Sequence, residues 1–269
     1  MQVRKVLLAM AATVVMTTAC GGSDTPAWPP TPTVIAHRGA SALRPEHTLA
    51  AYQKAIDDGA NVIEPDLVIT KDGVLVARHE NAIAILNADG SVREATTDVM
   101  DRPEFAARKT TKTIDGTAIT GWFVEDFTLA ELKTLRARER IPAIRPANVA
   151  YNGQFEVPTL QEVIDLAKAQ SSVKGRVIGI APETKHPSFF QSIGMPLEPA
   201  LLAVLTKNGW NSKDAPVFVQ SFEVANLKAL RKQSTVRLVQ LLSNGGRPYD
   251  FTASGNPQTY ANMATAAGL

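Results

Sequence analysis

In the first part of the chain, hydrophobic residues form three short runs. Between the first two runs, they recur at the interval of one helical turn. Apolar runs at 33–36, 61–70 and 74–79 predict three strands, and a Lys-Asp-Gly turn joins the second to the third. Residues 48–58 carry apolar side chains at helical intervals, which predicts an amphipathic helix. The pattern indicates a βα unit at the start of the domain, which we take as residues 33–269.

The second half of the chain repeats the alternation of strands and helices. Apolar runs at 176–180, 217–220 and 236–242 predict strands buried on both faces, as parallel sheets require. The segments 128–131 and 159–162 each have the threonine and glutamate of a capping box, which predicts a helix start. Because polar residues follow several strand ends, the pattern favours an α/β fold, a TIM-type (β/α)8 barrel with its site on those loops.

Two stretches depart from a regular barrel. Residues from about 81 to 151 have little strand signal and are interpreted as an insertion after the third strand that lies over the site. Six strands are predicted up to residue 242, whereas a closed barrel of this type has eight. The segment 252–269 is rich in small residues and has no further apolar run. We therefore expect a barrel that is incomplete at its C-terminus, with unpaired edges that favour aggregation.

The first residues predict a targeting segment. Arg4 and Lys5 precede an apolar run at 6–15 that is too short to span a bilayer, so residues 1–19 are interpreted as a signal peptide. We therefore expect the protein to be exported. Residues 20–32 contain four prolines and predict an extended tether that holds the domain off the membrane.

Cys20 is the single cysteine of the chain, so an internal disulfide is excluded. It lies between a Thr-Ala and a Gly-Gly pair, a setting that resembles a bacterial lipoprotein processing site, although Thr17 stands where leucine is usual. We expect a periplasmic or membrane-anchored bacterial lipoprotein that carries a lipid on Cys20. The alternative is an ordinary cleaved signal peptide followed by an incidental thiol.

Composition and charge exclude some classes of protein. With 269 residues, of which 45% are hydrophobic and 20% charged, the chain is long enough for one sizeable enzyme domain. The formal net charge of +2 and the pI near 8.6 are too mild for a nucleic-acid-binding surface, and no dense run of lysine and arginine is present. A nucleic-acid partner is therefore not expected.

Two histidines lie at the ends of neighbouring predicted strands. His37 follows the first apolar run and His79 ends the third, while the other two histidines, His47 and His186, also lie in or beside strand-end motifs. A single histidine at a strand end is more often structural. A pair at equivalent ends is better interpreted as a general acid and a general base.

Three carboxylates have the placement of a cation site. Glu64 and Asp66 lie two residues apart on a predicted strand and therefore point to the same face. Buried carboxylates repel each other unless a cation lies between them, and Ca²⁺ or Mg²⁺ is the hard ion that suits such ligands. Glu183, at another strand end, is the expected third ligand. The alternative is that these acids form buried salt bridges with Arg38 and Lys185.

The two cationic side chains also suit a phosphate ester. A phosphodiester carries a negative charge that becomes denser in the transition state, and Arg38 and Lys185 would stabilise this charge beside the metal. Gly39 would let the backbone approach the substrate closely. These residues therefore indicate metal-assisted chemistry on a phosphodiester.

Together, these motifs resemble the glycerophosphodiester phosphodiesterase family, and among its members the periplasmic, calcium-using branch. The resemblance nearly spans the domain. The motifs, in chain order, are His37–Gly39, Pro45–Thr48, Glu64–Asp66, Thr70–Gly73, His79–Glu80 and Glu183–Lys185, extended by Gln220–Phe222 and Leu238–Leu241.

The resemblance implies a fold, a reaction and a set of roles. It implies a TIM-type barrel that hydrolyses small glycerophosphodiesters to an alcohol and sn-glycerol 3-phosphate with one divalent cation, Ca²⁺ rather than Mg²⁺. Glu80 stands where the family usually has aspartate, and its extra methylene is expected to shift His79 or its contacts. The implied roles are acid and base for His37 and His79, metal ligands for Glu64, Asp66 and Glu183, phosphate contacts for Arg38 and Lys185, and support of the site for Glu46 and Glu80.

Two other functions stay open. A related barrel family that cleaves choline phospholipids in the manner of a phospholipase D also uses paired histidines and an acidic metal site. An incomplete barrel on a lipid anchor could instead persist as a surface binding protein without catalysis. Metal-dependent release of glycerol 3-phosphate distinguishes an enzyme from a binding protein, and the preferred substrate distinguishes the two enzymes.

Overall fold

A computed structural model describes residues 28–265, so the expected signal peptide at 1–19 and Cys20 lie outside the described residues. The strands within this range are Ile35–His37 (β1), Val62–Glu64 (β2), Asp66–Ile69 (β3), Leu75–Ala77 (β4), Ala82–Leu86 (β5), Val92–Ala95 (β6), Thr110–Ile114 (β7), Thr117–Phe123 (β8), Gly179–Ile180 (β9), Glu183–Thr184 (β10), Phe218–Ser221 (β11) and Arg237–Gln240 (β12). The α-helices are Leu49–Asp57 (α1), Leu129–Leu132 (α2), Leu160–Lys174 (α3), Pro187–Ser192 (α4), Leu197–Lys207 (α5), Val224–Arg231 (α6), Tyr249–Ser254 (α7) and Tyr260–Met263 (α8).

Parallel strands form the central part of the molecule. β2 and β3 are two halves of one strand interrupted at Pro65, and β9 and β10 are likewise two halves of another. Counted in this way, five parallel strands lie side by side in the order β1, β2/β3, β9/β10, β11, β12. All six predicted apolar runs contain a strand, so this part of the sequence prediction is confirmed.

The third predicted run departs from the parallel order. After the predicted turn, β4 folds back and pairs with β3 in the antiparallel direction. The chain therefore makes a hairpin here instead of a second βα unit. In the described residues that follow β12, 241–265, the chain forms α7 and α8 and no strand.

Helices pack against the parallel strands around a buried apolar core. α1 packs against β2, α3 against β9, and α6 against β11 and β12. The capping boxes predicted at Thr128 and Thr159 are both present, at the starts of α2 and α3. The core is composed almost entirely of aliphatic and phenylalanine side chains from both layers. This packing fixes the strand ends on which the site is built.

The segment interpreted as an insertion contains a second sheet. β5 to β8 form a four-stranded antiparallel sheet in the order β6, β5, β8, β7, so the expectation of little strand structure in residues 81–151 is wrong. Two of its strands, β6 and β7, are largely exposed and contain mostly polar residues, as antiparallel strands with a solvated face do. Such strands have no apolar run to be recognised in the sequence.

Trp28 covers the end of the parallel strands opposite the predicted site. Its ring lies 5.1 Å from the ring of Phe218, at the start of β11. A Cβ atom on Gly179, at the start of β9, would lie 2.3 Å from the Trp28 ring, so only glycine fits there. The end of the predicted tether thus packs on the domain. Among residues 28–265, no helix is both long and apolar enough to cross a membrane.

Candidate active site

His37 and the predicted metal ligands meet where β1 ends and where the paired strands β2/β3 and β9/β10 are interrupted. His37 at the end of β1 lies opposite Glu64 at the end of β2. Asp66, which begins β3, lies opposite Glu183, which begins β10. Strand register therefore brings together a histidine and three carboxylates, as expected for a site at this end of a barrel.

Glu64, Asp66 and Glu183, which we call the carboxylate cluster, form a candidate metal site. Each is buried and offers one ligand oxygen, and these oxygens lie within 4.8 Å of one another. Burial and the charge of Asp66 raise the pKa of Glu64, and burial raises that of Glu183. Asp66 Oδ1 is buried and has no hydrogen-bond partner among residues 28–265. Crowded carboxylates with a free oxygen fit a divalent cation, and an oxygen-only donor set fits a hard one.

The salt bridges of the alternative interpretation are present but do not neutralise the carboxylate cluster. Arg38 Nε lies 3.4 Å from Asp66 Oδ2, and Lys185 Nζ lies 3.1 Å from Glu183 Oε1. Within residues 28–265, Glu64 forms no ion pair with a lysine or arginine. Two permanent cations therefore face three carboxylates, and the site retains a place for additional positive charge.

Neutral side chains orient the ligand carboxylates. His47 is fully buried, and its Nε2 lies 2.9 Å from Asp66 Oδ2. Gln220 Nε2 donates to Glu64 Oε1 at 3.0 Å, while the backbone N–H of Arg38 donates to Glu64 Oε2 at 2.8 Å. Sequence motifs contain His47 and Gln220 but assign them no role, because their partners are set only by the fold. Such contacts fix the direction of a metal ligand.

Glu46 supports the site through three arginines. Its carboxylate is 2% exposed and accepts hydrogen bonds from Arg140 Nε at 2.7 Å and Arg145 Nη1 at 3.1 Å, while Arg38 Nη1 lies 3.6 Å away. Burial would raise the pKa of Glu46, but the hydrogen bond from Arg140 and the neighbouring positive charges lower it to about 2. Glu46 thus stays charged, and its hydrogen bonds from Arg140 and Arg145 connect the barrel to the segment that follows α2.

The two predicted acid and base histidines differ in their surroundings. His37 lies at the exposed end of β1, whereas His79 follows β4 and its side chain is 20% exposed. Burial and the charge of Arg38 lower the pKa of His37. Burial and the charge of Lys185 lower the pKa of His79 to about 3, although Glu80 opposes this effect. Both imidazoles are therefore neutral at pH 7.

A chain of four side chains, which we call the His79 network, connects the barrel to the insertion. Glu80 Oε1 lies 3.1 Å from His79 Nδ1, and Glu80 Oε2 accepts a hydrogen bond from His186 Nε2 at 2.6 Å. His186 Nδ1 in turn donates to Asp115 Oδ2 at 2.6 Å. Asp115 lies in the turn between β7 and β8, and the sequence gives no site signal there beyond its Asp-Gly pair.

Strained backbone is concentrated at the site. In residues 28–265 the non-glycine residues with positive φ are Arg38, His47, Asp115 and His186, at 62°, 55°, 46° and 47°. The Asp-Gly hairpin turn requires such a φ at Asp115. The other three lie outside hairpins, and each of them contacts a carboxylate of the site.

Two cavities adjoin the site residues. The larger, of about 390 Å³, is lined by Glu183, Lys185 and His186 on one side and by Phe222 and Tyr260 on another. A second, of about 270 Å³, is lined by His79, Glu80 and Arg140, among others. Asp115 and His186 line both cavities. The larger cavity has the size and mixed polarity of a small-molecule site.

Comparison with known protein sequences agrees with this description. A sequence profile of the glycerophosphoryl diester phosphodiesterase family matches residues 37–268. A glycerophosphodiester phosphodiesterase of Arabidopsis thaliana is 40% identical over 205 residues, which are 72% of this chain and 50% of that protein. One from Haemophilus influenzae is 30% identical over 224 residues, which are 78% and 56% of the two chains. The chain thus spans about half the length of these relatives.

Solved structures share the fold. A Silicibacter pomeroyi structure from the same family aligns with a TM-score of 0.55 at 23% identity, covering 78% of this chain and 64% of the other. The glycerophosphoryl diester phosphodiesterase domain of a Mycobacterium tuberculosis protein aligns with a TM-score of 0.50 at 18% identity, covering 83% and 62%. These likenesses confirm the TIM-type fold.

Proposed function

Because the chain belongs to the glycerophosphoryl diester phosphodiesterase family, we propose that it hydrolyses glycerophosphodiesters to an alcohol and sn-glycerol 3-phosphate. The observation that carries the proposal is the carboxylate cluster, which lies beside two neutral histidines and two permanent cations. Acidic metal ligands, proton-transfer groups and phosphate-binding cations are the three components that this reaction needs.

Glu64, Asp66 and Glu183 would hold the divalent cation, which supplies positive charge for the phosphate oxygens when bound. We propose Ca²⁺ in preference to Mg²⁺. Calcium accepts several carboxylates in flexible geometry, whereas magnesium keeps most of its waters and takes one or two carboxylates. Three convergent carboxylates, two of which are held by hydrogen bonds and the third by an ion pair with Lys185, suit the larger ion better.

Arg38 and Lys185 bind the phosphate in this proposal. Each now pairs with a carboxylate of the cluster, and neutralisation of that carboxylate by a bound cation would free the side chain to contact the substrate. Arg38 is already directed by Glu46, so its guanidinium is held near the site at little further entropic cost.

His37 and His79 act as the acid and base pair. One imidazole accepts the proton of the nucleophile, which is water or the glycerol 2-hydroxyl of the substrate, and the other donates a proton to the departing alkoxide. Attack by water gives sn-glycerol 3-phosphate directly, whereas attack by the 2-hydroxyl gives a cyclic phosphate that a water molecule then opens. The histidine that donates must be protonated when substrate is bound. The negative charge of a bound phosphodiester raises the pKa of nearby imidazoles and so favours that form.

The direct test incubates the purified full chain with glycerophosphocholine and measures glycerol 3-phosphate. We expect release of glycerol 3-phosphate with calcium and its loss on chelation. Choline release from sphingomyelin but not from glycerophosphocholine would instead select the phospholipase D-like reaction. Binding of glycerophosphocholine without release of glycerol 3-phosphate would contradict the proposal and favour a surface binding protein.

We also propose that the protein is exported and anchored to a membrane through a lipid on Cys20, since a basic segment, a short apolar run and small residues precede that cysteine. Metabolic labelling with a radioactive fatty acid should mark the wild-type protein in membranes and leave Cys20→Ala unlabelled. Equal labelling of the two would contradict lipidation at this residue.

A further inference from the structure

His186 is the centre of the connection between the barrel and the insertion. Its Nε2 lies 2.6 Å from Glu80 Oε2, and its Nδ1 lies 2.6 Å from Asp115 Oδ2. Both partners are carboxylates, so both ring nitrogens donate and the ring is an imidazolium. Burial would lower the pKa of His186, but its hydrogen bonds to Asp115 and Glu80 raise it to about 9. His186 therefore acts as a fixed cation between two carboxylates.

Glu80 transmits this restraint to His79. One carboxylate oxygen is held by His186, and the other lies 3.1 Å from His79 Nδ1. That nitrogen is buried and forms no hydrogen bond within the described part of the chain, so Glu80 is the acceptor in reach after a small rotation of the ring. A proton held on Nδ1 leaves Nε2 as the free nitrogen of His79.

The backbone supports the same arrangement from two elements. His186 adopts φ 47° and ψ 47° immediately before α4, a left-handed conformation that is unfavourable for a non-glycine residue. Asp115 lies at the tip of the β7–β8 hairpin, where an Asp-Gly turn presents its side chain beyond the sheet. A strained residue persists when surrounding contacts hold it, and the two carboxylates are those contacts for His186.

We infer that Asp115 and His186 are positioning residues that act through Glu80 to hold His79 with Nδ1 protonated and Nε2 free. The inference deepens the proposed function and rests on it for the role of His79 in catalysis. It also gives the longer Glu80 side chain a function, since Glu80 reaches two histidines at once. The insertion would then contribute to catalysis through the tip of one hairpin.

The first test reads the His79 ring without using catalysis. Nitrogen-15 NMR of the histidine-labelled full chain shows which ring nitrogen carries the proton. We expect His79 protonated on Nδ1 in the wild type, and a mixture of both tautomers in His186→Ala and Asp115→Asn. Asp115→Asn keeps the turn geometry, so it serves if His186→Ala does not fold.

Asp89 provides a matched control on the same sheet. It precedes a positive-φ glycine in the β5–β6 turn, as Asp115 does in the β7–β8 turn, but it hydrogen-bonds only to Ser91 in an exposed position. Asp89→Asn should leave the His79 tautomer unchanged. Equal tautomer populations in the wild type, His186→Ala and Asp115→Asn would overturn the inference.

The second test uses the kinetics of glycerol 3-phosphate release. Asp115→Asn and His186→Ala should each lower kcat about tenfold, the scale expected for residues that orient a functional histidine, with KM nearly unchanged. The double variant should be no slower than His186→Ala. Both substitutions interrupt the same series of contacts to His79, so the second one has nothing further to remove. Glu80→Asp, too short to reach both histidines, should match His186→Ala.

Additive losses in the double variant, or a wild-type rate for Glu80→Asp, would contradict the inference. A wild-type chain that releases no glycerol 3-phosphate would instead defeat the proposed function. The NMR experiment still decides the positioning of His79 in that case, so the two failures are distinguishable.

Discussion

The carboxylate cluster and the His79 network line the same cavity at Glu183 and His186, yet they are built in different ways. The residues of the carboxylate cluster lie at the ends of paired parallel strands, where register alone places them side by side. The residues of the His79 network come from a strand end, a hairpin turn of the insertion and the residue before α4. The barrel supplies the charge of the site, and the insertion supplies the orientation of a histidine.

The difference shows where each part of the site is vulnerable. In the proposed function the three carboxylates of the cluster would hold one cation together, so loss of any one charge should disable the whole cluster. Loss of one member of the His79 network should lower activity only in part, because Asp115 and His186 contact His79 only through Glu80. Substitutions in the carboxylate cluster should therefore abolish activity, whereas those at Asp115 or His186 should reduce it.

The largest effect is expected from Glu183→Gln. The amide keeps the size of the side chain but removes a charged metal ligand, so kcat should fall roughly a thousandfold. Glu125→Gln is the matched control, since Glu125 is a buried glutamate of the insertion that pairs with Lys112 away from the cluster. Steady-state kinetics at saturating calcium provides the measurement. Similar rates for the two variants would remove the cluster from the reaction.

His79→Ala should lower kcat by about a hundredfold or more, since it removes a proton-transfer group. The free energy of unfolding in urea should change little, because the Nδ1 of His79 has no aligned hydrogen bond to lose. His37→Ala should show a comparable loss of rate. A near wild-type rate for either variant would exclude that histidine as acid or base.

Glu46→Ala tests the connection between the barrel and the insertion through stability. Removal of a buried carboxylate that forms ion pairs with three arginines should lower the free energy of unfolding by about 3 kcal/mol. The exposed Glu156, which also faces two cations, is the control, and Glu156→Ala should cost less than about 1 kcal/mol. Equal losses of unfolding free energy in the two variants would show that the burial of Glu46 does not strengthen its ion pairs.

The loss of stability in Glu46→Ala should depend on pH. The pKa of Glu46 is lowered from 4.5 to about 2 in the folded protein, so its stabilisation is fully present above pH 4.5 and is lost as the pH falls through 2. The difference in unfolding free energy between wild type and Glu46→Ala should shrink across that window. A difference that stays constant from pH 5 to about pH 2 would contradict an ionised Glu46.

The smallest effect is expected at Thr159→Ala, which removes the capping box of α3. The loss should be about 1 kcal/mol in unfolding free energy with no change in kcat, because α3 carries no residue of the site. Thr159→Ser keeps the hydroxyl and should retain most of the stability. A large loss of activity in Thr159→Ala would show that the barrel helices affect the site more than the structure indicates.

Much of the fold could be predicted from the sequence, because parallel strands leave nearly continuous apolar runs such as 236–242, although β12 within that run is half-buried and not buried on both faces. The exposed strand β7 of the insertion could not, since it reads Thr-Thr-Lys-Thr-Ile and has no such run. Its neighbour in the same sheet, β5, is a buried apolar run, Ala-Ile-Ala-Ile-Leu, that the strand prediction missed. The reversal of direction at β4 was also outside the pattern of apolar positions. A turn signal between two strands marks a connection but does not by itself fix the sheet partners.

The site divides in the same way. His37, Glu64, Asp66 and Glu183 could be predicted because a functional side chain at a strand end leaves a local motif. Arg140 could not, because its role depends on contact with Glu46, 94 positions away along the chain. The same limit applies to the contacts of the His79 network, which join turns distant in sequence.

Calorimetric titration of calcium into the purified full chain shows whether the three buried carboxylates form a calcium site. We expect one ion per chain in the wild type and at least about tenfold weaker binding in Asp66→Asn and Glu183→Gln, with binding unchanged in Glu125→Gln. Equal calcium binding by the wild type and the cluster variants, or no binding by a folded wild type, would contradict the account.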